Sequence, residues 1–306
     1  MSHHHHQTAT DKTVQKKTRA VKRSAGMPAM LKVLRAGFSL GGRISPTLAG
    51  RYAYKLWFTP TRYKTPASEY AAKQSALIER QSFHGNSITT YQWGCTGPTV
   101  LLVHGWSGRG TQLGAFVEPL LNAGYRVLSF DAPAHGESSG SETNLYEIAD
   151  VILALRAHYG AFEAAITHSF GGPCLTMAMK AGLAITRVVC MAPPANAEGL
   201  VKKFVTALAI PEKAEQDLLR RIERKFGKNV WQEISMQSNV RDLNVPALIM
   251  HDMDDLDVHW REGESVARAW NNAKFVTTRA LGHRRIVRDP ATIVAAVDFI
   301  KSAAQP

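Results

Sequence analysis

The stretch "AAITHSFGG", residues 164–172, decides how this chain folds. Ala164, Ala165 and Ile166 make a short apolar run. Thr167, His168, Ser169 and Phe170 follow, then Gly171 and Gly172, and the next residues, "PCLTMAMKAG", read as a helix. Two readings fit a serine between a strand and a helix. Ser169 is a nucleophile lifted into a cleft by a sharp turn, with the following backbone N–H groups aimed at the same space. Alternatively, it only caps the helix ahead of a glycine-rich turn. The sharp turn needs small residues two positions before and after the serine. Gly171 meets the second requirement, but Thr167 stands where G-x-S-x-G has its first glycine.

Working outward, the same texture recurs. Short apolar runs at "TVLLVHG" (99–105), "RVLSFDA" (126–132), "TRVVCMA" (186–192), "PALIMHD" (246–252) and "AKFVTT" (273–278) alternate with helical patterns. Those helices are predicted near 111–123, 143–159, 170–182 and 260–271, and over "DPATIVAAVDFIKSA". Such alternation implies a mostly parallel sheet with helices on both faces. Upstream, "ERQSFHG" and "ITTYQWG" predict two paired strands with a turn at Gly85-Asn86. Between about 195 and 244 the alternation stops. Leu200, Phe204 and Leu208 share one helical face, and Leu218, Ile222 and Phe226 share another. Two helices inserted there form a small cap over the carboxyl ends of the strands, where open sheets bind ligands. At least one of Phe204 and Phe226 is predicted to face the pocket.

The N-terminal part divides at residue 26. Residues 1–26 read as a basic tail, with Lys12, Lys16, Lys17, Arg19, Lys22 and Arg23 against the single acid Asp11. Its scarcity of large apolar side chains predicts disorder. A solvated tail and a weak contact with anionic membranes both suit it. His3 to His6 fit an affinity tag or a natural histidine-rich start and carry no fold information. Residues 27–79 are predicted to be a helical extension. One helix covers 27–42, with Met30, Leu34 and Phe38 on its packing face. A second starts at Ser45-Pro46 and carries Leu48, Tyr52 and Leu56, and a third covers 67–78. These faces suit packing on the main domain. Arg51, Lys55 and Arg62 beside Trp57 and Phe58 would suit a membrane surface instead.

Composition narrows the function classes. The chain has 306 residues, 45% hydrophobic and 20% charged, which fits a globular enzyme and not a disordered or fibrous protein. No run of eighteen apolar residues predicts a membrane span, and "MPAMLKVLRAGF" is broken by Lys32 and Arg35 and predicts no cleaved leader. Cys95, Cys174 and Cys190 fit neither a disulfide framework nor a zinc pattern; Cys174 and Cys190 read as buried thiols. A reducing cytoplasm is the expected compartment. The net charge of +12 sits partly in the tail, and no nucleic-acid partner is expected.

A serine hydroxyl becomes a nucleophile when a base takes its proton and a third group orients the base. Candidates lie in two late loops. Strand 246–251 runs into "HDMDDLDVHW", with carboxylates at Asp252, Asp254, Asp255 and Asp257. Strand 273–278 runs into "RALGHRRIVRDP", with His283 behind Gly282.

With these stretches in place, the chain from about 80 to 306 resembles the α/β-hydrolase superfamily of serine hydrolases. "HGWSG" (104–108) is similar to its H-G-x-x-G loop. "DAPAHGESSG" (131–140) is similar to its D-x-P-G-H-G-x-S loop, with Ala134 at the usual glycine. "HSFGG" resembles its nucleophile elbow, and "HDMDDLDV" its H-G-x-x-D-x-x-V loop, with Asp252 for the glycine. "GHRRIVRDP" resembles its terminal segment. The resemblance implies an eight-stranded α/β-hydrolase fold with Ser169 as nucleophile, Asp255 as acid and His283 as base. It implies an oxyanion hole from the backbone N–H groups of Trp106 and Phe170. The family spacing selects Asp255, with Asp257 as runner-up and the other two acids as solvated loop residues.

The implied activity is hydrolysis of a small-molecule carboxylic ester, with a small to medium acyl group, through an acyl-serine. A serine at the elbow disfavours the dehalogenase and epoxide-hydrolase chemistries of aspartate-dependent members. Thioesterase, lactonase and acyltransferase chemistry stay open on the same scaffold, as does a catalytically silent binding protein. No cofactor and no metal are expected. His104, His135, His168 and His251 are read as structural. Arg109, Arg284 and Arg285 flank the expected site, either solvated or favouring an anionic substrate.

Overall fold

A computed structural model of the chain describes residues 29–302 except His84. The predicted basic tail, 1–26 with His3–His6, lies outside the described residues.

The centre is one eight-stranded sheet. Its strands are β1 (Leu77–Phe83), β2 (Asn86–Trp93), β3 (Thr99–Val103), β4 (Arg126–Phe130), β5 (Phe162–His168), β6 (Arg187–Met191), β7 (Ala247–Asp252) and β8 (Ala273–Thr278). Their spatial order is β1-β2-β4-β3-β5-β6-β7-β8. The β1–β2 and β2–β4 pairings are antiparallel and the rest are parallel. Phe83 pairs with Asn86, so Asn86, expected in the turn, is the first residue of β2.

The helices are α1 (Ala29–Ile44), α2 (Pro46–Phe58), α3 (Tyr70–Gln74), α4 (Val117–Asn122), α5 (Leu145–Tyr159), α6 (Gly171–Lys180), α7 (Ala197–Leu208), α8 (Glu212–Phe226), α9 (Val230–Glu233), α10 (Met236–Asn239), α11 (Trp260–Ala269), α12 (Gly282–Arg285) and α13 (Pro290–Lys301). Two layers of core flank the sheet. Leu101 and Val103 of β3 join α5 and α6 on one side. Val100 and Leu102, the alternate positions, join Leu120 of α4 and Ile300 of α13 on the other. Every residue of β3 is buried, as a strand covered on both faces demands. Cys174 and Cys190 are buried among these layers.

A third cluster stands apart from the sheet. Phe38 of α1 and Ala53 and Phe58 of α2 pack with Leu208 of α7 and Ala214, Leu218 and Ile222 of α8. The N-terminal helices therefore dock on the cap. Gly50 permits this, because a Cβ there would run into the Asp217 carboxylate and the Ala214 carbonyl of α8.

Three expectations for this region need correction. Leu48 and Tyr52 do not form the packing face of α2; Leu48 is 66% exposed, and the buried positions are Gly50, Ala53 and Phe58. Close approach to α8 selects the small residues over the large ones. Likewise Met30, expected on the packing face of α1, is 70% exposed. The predicted helix over 67–78 is shorter: a single 3-10 turn at Ala67–Glu69 leads into α3, which ends at Gln74, because Leu77 already pairs with Gln92 in the sheet. The cap also carries two single-turn helices, α9 and α10, that the sequence pattern did not suggest.

Candidate active site

Ser169 sits on the turn between β5 and α6 with φ of 51°, a left-handed conformation that costs a non-glycine residue energy. Its N–H donates to the Met191 carbonyl at 2.8 Å, and its carbonyl accepts from Gly172 at 3.0 Å. These bonds at the ends of β6 and α6 hold the strained turn. Thr167 is accommodated where glycine was anticipated. It is fully buried, and its hydroxyl points along the sheet toward the Val189 carbonyl, 3.4 Å away. Gly105 lets the loop after β3 approach, since a Cβ there would lie 3.0 Å from Ser169 Cβ.

Ser169, Phe170 and Trp106 line one cavity of about 430 Å³. Among the described residues, neither the Trp106 nor the Phe170 backbone N–H has a hydrogen-bond acceptor. The rings of these residues meet edge to face at 5.4 Å. The remaining walls are mostly apolar. Phe204, Phe226, Leu200 and Trp231 come from the cap, and Leu56, Trp57 and Phe58 from α2. Trp57 packs edge to face on Phe204 at 5.2 Å. Both phenylalanines anticipated for the pocket thus reach it.

Asp255 and His283 come together as anticipated. His283 Nδ1 donates to Asp255 Oδ2 at 2.7 Å. The Asp255 side chain has no exposed surface. Its Oδ1 accepts from the N–H groups of Asp257 and Val258, both at 2.8 Å, and Oδ2 lies 3.3 Å from His251 Nε2. Burial alone would raise this carboxyl, but the bonds from His251, His283 and Val258 hold it well below the usual carboxylate range. Asp257 is exposed on the loop and lies 3.8 Å from the Arg284 guanidinium.

Two residues read as passive have defined jobs. His168, just before Ser169, donates from Nε2 to the His283 carbonyl at 2.8 Å. Burial pushes its pKa down to about 3, with repulsion from His283 adding to the effect, so it stays neutral and joins the two loops. Asp252, expected to be solvated, is fully buried. Its carboxylate accepts from Thr278 Oγ1 at 2.6 Å and from the N–H groups of Asp254, Leu281 and Gly282 at 3.0, 3.1 and 2.9 Å. It pins the loop that delivers His283. Burial would raise its pKa, and the bonds from Thr278, Gly282, Leu281 and Asp254 lower it overall.

The N-terminal extension also reaches the site, which no sequence signal foretold. Thr61 N–H donates to Ser107 Oγ at 2.9 Å, in the loop that carries Trp106. Arg62 donates to the carbonyls of Gly136, Ser138 and Gly140 at 2.6, 2.7 and 2.9 Å, clamping the 131–140 loop. Arg109 is neither solvated nor free for a substrate, because Glu69 binds it through both carboxylate oxygens at 3.0 Å. Phe58 is buried and Trp57 lines the cavity, so neither forms the membrane-facing surface that their neighbouring cations suggested.

Among the described residues, no helix is long and apolar enough to cross a membrane. Part of the chain is 35% identical over 128 residues to the dihydrolipoyllysine-residue acetyltransferase component of the acetoin cleaving system of Pseudomonas putida. That match spans 40% of this chain and only 34% of the relative. The fold is similar to that of the esterase RhEst1 from Rhodococcus sp. ECU1013, with a TM-score of 0.59 and 20% identity over 75% of this chain and 100% of that one. It is also similar to alpha/beta hydrolase domain-containing protein 10 from mouse, with a TM-score of 0.60 and 16% identity over 74% of this chain and 98% of that one. The profile of the alpha/beta hydrolase family matches residues 100–297. Eight strands in this order and a match across most of the sheet lead to one conclusion: the chain belongs to the alpha/beta hydrolase family.

Proposed function

We propose that this protein is a serine hydrolase that cleaves carboxylic esters with apolar acyl groups of small to medium size. One observation carries the reading: Ser169 stands on a strained turn and lines an apolar cavity beside two backbone N–H groups without acceptors.

In the proposed reaction the acyl chain lies among Phe204, Phe226 and Trp57. His283 donates from Nδ1 to Asp255, so its Nε2 carries the lone pair. That nitrogen takes the Ser169 proton as Oγ attacks the ester carbonyl. The oxygen that gains charge is held by the N–H groups of Trp106 and Phe170. Losing one such donor typically costs about 3–4 kcal/mol of transition-state stabilisation. The imidazolium, paired with Asp255, then gives its proton to the departing alkoxide. Water repeats the sequence on the acyl-serine, with His283 as base and Ser169 as leaving group, and releases the acid. The scheme uses no cofactor. A cavity of about 430 Å³ suits a medium acyl chain.

Acyl transfer to an acceptor other than water is the second reading. The acetyltransferase relative from Pseudomonas putida favours it. Product analysis with and without an added alcohol separates the two.

The test of Ser169 is intact-mass measurement after exposure to a fluorophosphonate probe. Wild type should gain one adduct and Ser169→Ala none. Equal labelling of both would remove Ser169 from the reaction, and a panel of chromogenic esters of graded acyl length would then decide whether any ester is cleaved.

A further inference from the structure

The N-terminal helices carry a second apolar face that no described residue covers. On α1, Met30, Val33, Leu40 and Ile44 are 70%, 67%, 66% and 86% exposed. With Gly37 between them they are spaced three and four residues apart, so they form one stripe along the helix. On α2, Leu48 and Tyr52 are exposed as well. The stripe is not the face that packs. That face holds Leu34 and Phe38, and Arg35 fixes it by donating to the Thr206 and Ala207 carbonyls at 2.8 and 2.6 Å. A contiguous run of large exposed apolar side chains on a globular protein marks an interaction site.

The charge around the stripe selects the partner. From Lys12 to Ser68 the chain holds thirteen Lys and Arg and no Asp or Glu. The whole chain has a net charge of +12, so this segment accounts for all of the excess. Lys32, Arg43, Arg51 and Lys55 are exposed on the two helices themselves. Cations that border an apolar stripe match the anionic headgroups and acyl layer of a lipid surface.

We propose that the α1–α2 hairpin docks this protein on an anionic phospholipid bilayer. Met30, Val33, Leu40 and Ile44 enter the boundary between headgroups and acyl chains, and the surrounding Lys and Arg meet the phosphates. A second copy of the chain fits less well, because two such faces would set like charges against each other. Residues 1–28 fit less well for the same reason, and they offer few large apolar side chains. Nucleic acid would engage the cations but leave the stripe without a partner. The docking does not depend on the proposed hydrolase chemistry, although α2 turns its inner side, Leu56 and Trp57, to the cavity.

The experiment is co-sedimentation of the full chain with phosphatidylcholine vesicles, with and without phosphatidylglycerol, at low and moderate salt. Binding should require phosphatidylglycerol and weaken as salt rises. The triple variant Val33→Ser, Leu40→Ser, Ile44→Ser should bind at least tenfold more weakly and unfold at the same temperature as wild type. The single variant Ile44→Gln, at the most exposed of these positions, should show a smaller loss and guards against misfolding of the triple. No binding to phosphatidylglycerol vesicles would overturn the proposal. So would unchanged binding by both variants, which would reduce the interaction to charge alone. A wild-type dimer that the substitutions dissociate in sedimentation velocity would assign the stripe to a second copy and overturn it too.

Discussion

Replacing Asp252 by alanine should destabilise the protein by breaking a buried hydrogen-bond network in the acid-rich loop. The carboxylate accepts from three backbone N–H groups and one hydroxyl, at 2.6 to 3.1 Å. A hydrogen bond to a charged group is worth about 1.5–3 kcal/mol net, which sets an upper bound of about 6–12 kcal/mol for all four. Leu281 and Gly282 are partly exposed, so water can replace part of what they lose. We expect a stability loss of about 3–4 kcal/mol, in the range reserved for broken buried networks. The damage should concentrate in the loop ahead of His283. A misplacement of about 1 Å there is enough to lower turnover about 100-fold. Urea unfolding followed by fluorescence measures the first effect, and kcat/KM on a small soluble ester measures the second.

The pH dependence of the same variant has a definite sign. The folded pKa of Asp252 is lowered, so its stabilisation is fully present above the ordinary carboxylate range and is lost as pH falls toward the folded value. The gap between wild type and Asp252→Ala should therefore be constant near neutrality and shrink below about pH 4. A loss under about 1 kcal/mol at neutral pH, with unchanged kcat/KM, would refute the reasoning.

Other outcomes follow from neighbouring residues. Asp255→Asn should lower kcat by about 10⁴, because His283 loses the partner that sets its tautomer, while exposed Asp257→Asn should stay within a few-fold of wild type; steady-state kinetics on both variants checks the pair, and a reversal would move the acid by two residues. Trp57→Ala, at the wall shared by α2 and the cap, should shift preference toward longer acyl chains. Each additional buried methylene is worth about 0.8 kcal/mol, or roughly fourfold in kcat/KM. An unchanged chain-length profile would mean that Trp57 only supports Phe204.

What could be read from the sequence was what local pattern encodes. Val100 to Val103 and Ala164 to Ile166 announce buried strands by composition alone. Ser169 between a strand and Gly171 announces the turn. Motif spacing singles out Asp255 and His283, and the two side chains meet at 2.7 Å. What escaped depends on partners distant in the chain. Asp252 looks like its acidic neighbours in "HDMDDLDV", and only donors at residues 278–282 distinguish it. Arg62 binds backbone carbonyls of residues 136–140, and a carbonyl leaves no mark in a sequence. Leu48 and Tyr52 share a helical face with Leu56 by their spacing of four, and that spacing points to them as the packing face. The α2–α8 contact is instead built on Gly50 and Ala53, where smallness is what brings the helices together.

The shared cluster of α1, α2, α7 and α8 also dictates an order of events during synthesis. Phe58 and the start of α8 at Glu212 are separated by about 150 residues. At about 5–20 residues per second, α2 waits roughly 8–30 seconds after leaving the ribosome before its main partner exists. Six of the eight strands are made in that interval. The N-terminal hairpin spends it with both apolar sides open, one destined for the cap and one that no described residue covers in the finished molecule. Helices made early are thus among the last to settle, and the cavity over Ser169 gains its α2 wall only when they do.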